Sequence, residues 1–258
     1  RRASRVASRP AMLPIPPLLL FVFLVVGALV SSELGYRYGR LVGPRDEAFD
    51  RQLGIVRGAT FALVAFLIGF AFSGSAARYV ERLDIIVKEA NALGTAWLRA
   101  DTLAEPARGQ LKGALRDYAA DRVASLKGDS FEPVLAHIAR AGSFHDRIWK
   151  AGLAGTQGNP ALGLLVLPSL NEVIDLHTSH LSASRRHLPP LILFGLLLTV
   201  SLTIALAAFG HGQVGRRFAG LDLIYGLVLA GALWMTIDLD YPRYGLIRAT
   251  IAPLVETL

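Results

Sequence analysis

Four long apolar blocks divide the sequence, and each approaches the length of about 20 residues that a membrane-spanning helix needs. The blocks cover residues 11–32, 58–77, 188–210 and 218–237. Early prolines in the first block place the predicted helix start near Pro16 or Pro17. The fourth block is the weakest, because fifteen uncharged residues follow Asp222. We expect Asp222 to lie at the membrane surface and to pair with Arg216 or Arg217.

The polar segment between the second and third blocks has a helical pattern. Apolar residues recur in steps of three and four at Leu83, Ile86, Val87, Ala90, Leu93 and Trp97. This spacing predicts an amphipathic helix, and it continues from the second block because no breaker intervenes. A second helix begins near Pro106. Its apolar side consists of Leu111, Leu115, Tyr118 and Val123.

Two more helices are predicted before the third block. One covers residues 131–150, and residues 151–160 are predicted to form a turn or loop because small residues, glycine and proline cluster there. A last helix covers residues 161–188 and leads into the third block. Pro168 lies inside this helix and is predicted to kink it.

The predicted fold class is an all-α membrane protein with four transmembrane helices and a helical cytoplasmic region. No strand pattern competes with the helical one. The predicted organisation is a basic N-terminal segment (1–10), transmembrane helices 1 and 2 (11–77), the helical cytoplasmic region (78–187), transmembrane helices 3 and 4 (188–237) and a cytoplasmic C-terminal segment (238–258).

Composition and charge support this organisation. Hydrophobic residues make up 53% of the chain and charged residues 18%, and four arginines before residue 11 supply most of the net charge of +7. A basic segment beside the first apolar block is typical of a topology signal. A nucleic-acid binder would instead gather its basic residues on a folded face. We therefore expect no nucleic-acid partner.

The distribution of basic residues also predicts the orientation. With four spans, both termini and the middle region lie on one side, which holds 20 of the 27 basic residues. This side is predicted to be the cytoplasm. A cleaved signal peptide is the alternative for the first block. Its final residues, GALVSS, make a poor cleavage site, and its apolar run exceeds the usual signal core.

Motifs for catalysis or metal binding are weak. The chain contains no cysteine, which excludes disulfides and thiolate chemistry. His177 and His180 lie three residues apart near Asp175 and Glu172, a spacing that could gather a metal. It is not the H-E-x-x-H arrangement, and two histidines do not fill a coordination sphere. Phosphate-binding loops and nucleophile elbows are absent. We expect no enzymatic activity, no catalytic residue, no metal and no cofactor.

The second block carries a distinctive stripe. Residues four apart on a helix lie nearly above one another, so Ala62, Phe66 and Phe70 share a face that continues at Ser73. Small neighbours such as Gly69 let membrane helices approach closely. One interpretation is ordinary packing or lipid contact. In the other, several copies surround an axis, with the phenylalanines as a hydrophobic constriction and the serines as a wider mouth.

A family resemblance bears on this choice. The stretch AFLIGFAFSGSAARY resembles the second-span signature of the bestrophin channels, in whose bacterial branch a Gly-Phe pair precedes an arginine and an aromatic residue by seven residues. Here Gly69 and Phe70 precede Arg78 and Tyr79 in this way. DLDYPRYG is similar to the acidic-Pro-aromatic-Gly stretch after their fourth span, but longer by one residue. By EANALGTAWLRADTL, LNEVIDLH and IDLDYPRYGLIR, the chain is identified as a member of the bestrophin-like group of mostly bacterial membrane proteins.

The resemblance implies a pore. Bestrophins are pentamers whose second span lines the pore with apolar side chains at four-residue steps. Those steps fall on Ala62, Phe66 and Phe70, with a pore mouth at Ser73 and Arg78. Alanine is smaller than the family's usual residue at the first of these positions. The calcium-sensing acidic cluster of the animal members has no counterpart in this sequence, so calcium gating is not implied.

The implied function is a homo-oligomeric, pentameric ion channel with an apolar neck in a bacterial plasma membrane. Its partners would be copies of itself, membrane lipid and small inorganic ions. Ion preference differs within the family. We favour anion (chloride) conduction, because aromatic ring edges carry partial positive charge and Arg78 would attract anions. The alternative is a membrane-anchored helical scaffold or sensor with no pore, in which the small residues of the second span serve only helix packing.

Overall fold

The computed structural model describes residues 16–127, 132–243 and 245–257. The basic N-terminal segment (1–10) and Tyr244 of the DLDYPRYG stretch lie outside the described residues. Every regular element within the described ranges is a helix, which confirms the predicted all-α fold class. The helices are α1 (Pro17–Val42), α2 (Glu47–Ala100), α3 (Ala107–Leu126), α4 (Glu132–Thr156), α5 (Pro160–Arg185), α6 (Pro190–Gln213), α7 (Ala219–Asp240) and α8 (Ala252–Glu256).

The helices form two compact units. One contains α1, α2 up to Ala76, α6 and α7, and we call it the membrane unit. The other contains the rest of α2 together with α3, α4, α5 and α8, and we call it the bundle unit. As predicted, α2 continues without a break from the second apolar block into the amphipathic helix that follows.

Among the described residues, four helical segments are long and apolar enough to cross a membrane, and each contains most of one apolar block. α1 begins at Pro17, as the prolines predict, because proline at the first helical position costs no hydrogen bond. α7 has 22 residues, or about 33 Å at 1.5 Å per residue. The weakest block is therefore long enough for a span. The unit packs around a buried apolar core that includes Val64, Ile68, Leu196, Val200 and Leu233.

The closest helix pairing in the membrane unit joins α1 to α6. A Cβ atom added to Gly35 would lie 2.0 Å from the carbonyl oxygen of Ala205, and one added to Gly39 would lie 2.0 Å from that of Phe209. From the other side, a Cβ at Gly212 would lie 2.2 Å from the carbonyl oxygen of Tyr36. Small residues are the usual means of bringing membrane helices this close.

Asp222 does not take the partners predicted for it. Its Oδ1 lies 2.8 Å from Nδ1 of His211, whereas Arg217 places Nη2 2.5 Å from Oε2 of Glu33 and stacks its guanidinium over Tyr36. The prediction that Asp222 pairs with an arginine of the preceding turn was wrong. The reason is that α1 extends well past the first apolar block, so that Glu33 is available to the arginine.

The bundle unit has the apolar core that the α3 pattern predicts. Its four predicted residues are buried, and Tyr118 is fully so. On α2, Ile86, Ala90 and Leu93 are buried in the same core, but Val87 is exposed. α5 ends at Arg185, and α6 begins only at Pro190. The buried Arg82 covers the end of α5 by donating to the carbonyl oxygens of Ala183 (3.3 Å) and Arg186 (2.6 Å).

The predicted loop at residues 151–160 was wrong for its first six residues. α4 continues to Thr156, and the chain turns only around Gly158, whose φ is +79°. Two glycines that suggested a loop are packing sites instead. A Cβ at Gly152 would lie 2.3 Å from Cδ1 of Leu170, and one at Gly155 would lie 2.7 Å from Cδ1 of Leu103. A larger residue at either position would have to displace the terminal methyl group of a leucine side chain.

Candidate functional site

The phenylalanine stripe of α2 is uncovered in the single chain. The Phe66 and Phe70 side chains are 68% and 75% exposed. Their ring centroids lie 6.5 Å apart with an interplanar angle of 21°, so the rings are stacked along the helix. Val64, Ile68 and Ala71 point the other way and are buried in the core of the membrane unit. α2 thus has a packed side and a bare aromatic side within one span.

The remaining predicted site residues divide into two groups. Ala62 and Ser73 are exposed like the phenylalanines. Arg78 is half-buried, and at 100° per residue it lies about 80° around the helix axis from Phe70. The small polar Ser73 therefore continues the stripe, while Arg78 extends from a neighbouring side of the same helix. Ala62, Phe66, Phe70 and Ser73 are brought together on one face.

A polar cluster that the sequence analysis missed lies inside the bundle unit. Glu89 of α2 is fully buried and accepts hydrogen bonds from Nε of Arg122 at 2.7 Å and from its Nη2 at 3.2 Å. The Tyr118 hydroxyl donates to Glu89 Oε1 at 3.0 Å. A buried charge pair survives only when its hydrogen bonds are satisfied, and this carboxylate has three donors.

Histidines from two helices extend the cluster. Nδ1 of His137 lies 2.5 Å from Asp121 Oδ2, and its Nε2 lies 3.4 Å from Nδ1 of His177. The ring of His145 lies 5.0 Å from that of His177, centroid to centroid. Nδ1 of His180 lies 3.7 Å from Glu89 Oε2. Four histidines therefore line one polar core with a carboxylate at each side.

Burial controls the charge of these groups. It lowers the pKa of His177 to about 4 and that of His180 to about 3, and the charge of Arg122 adds to both effects. It also lowers the pKa of His137 and of His145. Burial alone would raise the pKa of Glu89, but the Arg122 guanidinium outweighs it and the pKa lies below its ordinary value. At neutral pH the four histidines are uncharged and the Glu89 carboxylate is ionised.

The two histidines weighed for metal binding do not converge on a common point. His177 faces His137 and the Tyr118 hydroxyl, which is 3.5 Å from its Nδ1, whereas His180 faces Glu89. Within the described ranges, no group of three or more histidine or acidic side chains is arranged to hold a metal. His177 and His180 on α5 form one wall of the polar core. Nothing in the sequence indicates that His137, forty residues before His177, lies beside them.

The histidine cluster predicts that acid destabilises the bundle unit. The unfolded chain binds protons as the pH falls below about 6.5, whereas the folded unit takes them up only near pH 4 and 3 at His177 and His180. Stability is therefore fully present above pH 6.5 and is lost as the pH falls, by about 1.4 kcal/mol per pH unit for each histidine that stays neutral. The measurement is the unfolding midpoint of the full chain in detergent between about pH 7.5 and 5.

Substitution separates the histidines from other acid effects. The charged and titratable groups that act on the four histidines are Arg82 and Glu89 on α2, Asp121 and Arg122 on α3, Asp146 on α4 and the other histidines, and the Tyr118 hydroxyl lies against His177. A His180→Gln variant removes one titrating group and should reduce the slope of stability against pH. An unchanged slope would show that His180 does not contribute to the acid sensitivity.

Acidic residues near the end of α7 accept hydrogen bonds from backbone N–H groups. Asp238 is buried and accepts from the N–H groups of Leu246 (3.0 Å) and Ile247 (2.9 Å). A Cβ at Gly245 would lie 2.7 Å from Asp238 Oδ1, so glycine allows this close approach. The buried Asp240 accepts from the N–H of Leu188 at 2.7 Å. The DLDYPRYG stretch thus uses its carboxylates to fix the chain around the end of α7.

The chain is similar to a known protein family and to solved membrane-protein structures. A family model described as "Bestrophin-like domain" matches residues 26–254. A bacterial Bestrophin homologue from Klebsiella pneumoniae has a similar structure, with a TM-score of 0.61, 15% identity and coverage of 93% of this chain and 94% of that chain. Another solved membrane protein gives a TM-score of 0.62, 16% identity and coverage of 93% and 94%.

The solved structures and the family model support different conclusions about this chain. At such low identity, the solved structures show a shared fold. No curated protein matches the chain. The family model, however, covers most of the sequence, from the middle of α1 to α8. The chain belongs to the Bestrophin-like family.

Proposed function

We propose that this protein is a homo-oligomeric ion channel whose pore is lined by α2, with Phe66 and Phe70 forming an apolar neck. The observation that carries the proposal is the pair of stacked phenylalanines, each more than two-thirds exposed, on one side of a helix whose other side is packed. Family membership and the bestrophin-type fold support it. Ala62 lies at the wider end of this neck, and Ser73 supplies a polar mouth.

An apolar neck works through hydration. A ring of phenylalanines holds water only transiently, so an ion crosses when the ring is wide enough to stay wet. Stacking fixes the two rings on successive turns of α2, which lengthens the constriction along the pore axis. If Phe66 and Phe70 faced lipid instead of a pore, their exposed rings would make only hydrophobic contacts with acyl chains. Conductance separates the two roles.

Alanine at Phe66 and Phe70 is expected to raise the current through the channel. Removing both rings widens and wets the neck, and lowering the barrier by about 1.4 kcal/mol raises conduction about tenfold. The measurement is single-channel current across a planar bilayer that holds the purified full chain under a potassium chloride gradient. The matched control is Phe23→Ala on α1, because Phe23 is 69% exposed and lies outside the stripe. Equal currents from both variants would assign Phe66 and Phe70 to lipid contact.

The conducted ion is proposed to be chloride. Positively polarised ring edges of the phenylalanines would face a passing anion, and the positive charge of Arg78 would raise the anion concentration near the cytoplasmic mouth. Under a tenfold gradient, we expect a reversal potential near the chloride equilibrium value. A value near that of potassium would retain the channel and reverse the ion assignment.

The channel is proposed to be a pentamer in a bacterial plasma membrane, with both termini and the bundle unit in the cytoplasm. The proposed boundaries of its segments are those predicted from the sequence. Five copies of a 27.8 kDa chain would surround one axis, as the family resemblance implies. Mass measurement in detergent tests this number. Monomers or dimers, together with silent bilayers, would favour a membrane-anchored scaffold in which the bundle unit is the working part.

A further inference from the structure

A second feature of the membrane unit lies away from the phenylalanine neck. An elongated cavity of about 820 Å³ lies between α2, α6 and α7, a volume within the range of small-molecule sites. Its walls are almost entirely apolar and include Phe61, Ile68, Phe72, Val228 and Met235. Because every wall belongs to an apolar helix, the occupant must be apolar along most of its length.

The cavity has the proportions of a single hydrocarbon chain. Along α7 its lining residues run from Leu221 to Met235, and along α2 from Phe61 to Phe72. At 1.5 Å per residue these stretches measure about 21 Å and about 17 Å. Half of a bilayer's hydrocarbon core is about 15 Å thick. The groove therefore matches the depth that one lipid leaflet requires.

One end of the cavity is polar. Asp222 lines it, and its side chain is only 8% exposed. Oδ1 lies 2.8 Å from Nδ1 of His211, but the two atoms are not aligned for a hydrogen bond, and Oδ2 has no hydrogen-bond partner among the described residues. A buried carboxylate oxygen without a donor is costly. An ionisable side chain in such a place in a membrane protein usually marks a binding site.

A cation lies at the same end. Arg57 is one helical turn before Phe61 on α2, so the two side chains share a face. Its Nε donates to the carbonyl oxygen of Leu206 at 3.1 Å, and its guanidinium covers Gly210, the neighbour of His211. The end of the groove therefore has a buried carboxylate oxygen that lacks a donor, and the guanidinium of Arg57 lies behind the lining residue His211, against Gly210. That combination complements a headgroup that carries both an ammonium and a phosphate.

We propose that this groove binds a membrane phospholipid with a primary-ammonium headgroup, which donates to Asp222 while one acyl chain lies along α2 and α7. The site is separate from the neck. Around α2, the groove residues Phe61 and Phe72 lie about 140° and about 120° from Phe66. The occupant belongs to the leaflet on the side where α6 ends and α7 begins, since Asp222 lies in the first turn of α7.

Native mass spectrometry of the delipidated full chain tests the proposal. The probes are phosphatidylethanolamine and phosphatidylglycerol with identical acyl chains, which differ in the presence of the ammonium group. Wild type should retain phosphatidylethanolamine about tenfold more tightly, because a hydrogen bond to a buried charge is worth at least that factor. Asp222→Asn keeps the side-chain size and removes the charge. It should abolish the difference between the two lipids.

Blocking the groove provides an independent arm. Gly69 lines the cavity, and a Cβ added there meets nothing within 4 Å, so Gly69→Leu should fill the groove and reduce the binding of both lipids. Gly27→Leu on α1 is the matched control, since a Cβ there also meets open space. Unchanged lipid retention in Gly69→Leu, or equal retention of both lipids by wild type, would overturn the proposal. A change in oligomer mass without a change in lipid retention would assign the groove to a neighbouring copy and would equally overturn it.

Discussion

Alanine at Gly35 and Gly39 together is expected to leave most of the protein misfolded. At each position the new Cβ would lie 2.0 Å from a backbone carbonyl oxygen of α6, and a backbone atom cannot rotate away as a side chain can. Forcing methyl groups into a closed contact costs about 1–3 kcal/mol each. The fraction of protein that elutes as a folded species in detergent, and its unfolding midpoint, measure the loss.

Gly27 supplies the control on the same helix. A Cβ there meets nothing within 4 Å, so Gly27→Ala should keep the folded fraction. It should even raise the unfolding midpoint slightly, because alanine favours a helix over glycine by about 1 kcal/mol. If the Gly35→Ala/Gly39→Ala variant behaved like Gly27→Ala, the α1–α6 contact would be looser than the structure describes.

Replacing Arg122 by methionine is expected to destabilise the bundle unit by about 3–5 kcal/mol, because it leaves the Glu89 carboxylate buried without its counter-ion. Glu89 is fully buried and Arg122 is 6% exposed. Hydrogen exchange of the amides in α3 and α5 of the full chain measures the local free energy of opening. Faster exchange should be confined to the bundle unit.

An exposed ion pair on the same unit is the control. Arg147 contacts Asp117 at 2.7 Å, and both side chains are about half exposed, so Arg147→Met should cost about 1 kcal/mol or less. A Glu89→Met/Arg122→Met double variant removes both charges and should recover much of the loss, since apolar replacements of a buried pair are often tolerated. A double variant as unstable as Arg122→Met alone would show that the charge is not the cause.

Helix positions were largely predictable because local chemistry controls them. The start of α1 at Pro17 and the unbroken course of α2 follow from proline geometry and from the absence of breakers. The end of α4 was not predictable in this way. Gly152 and Gly155 have the composition of a turn, and only the contacts of α4 with other residues show that they are packing positions.

The candidate sites were predictable where one helix contains them. Phe66 and Phe70 could be placed on a shared face because a single periodicity relates them. The polar core of the bundle unit could not be predicted, since Glu89, Arg122 and His137 come from three helices and meet only after folding. The groove could not be predicted either, because Asp222 lies beside His211 of α6 and lines the same cavity as Phe61 of α2 only after folding.

The α1–α6 contact also has a consequence for biosynthesis. About 170 residues separate the end of α1 from the end of α6. At the usual 5–20 residues per second, α1 leaves the ribosome roughly 10–35 s before its glycine-matched partner is complete. Helices α3, α4 and α5 of the bundle unit are all synthesised during this interval. α1 must therefore persist in the bilayer without its partner, and the membrane unit can close only after α6 has been synthesised.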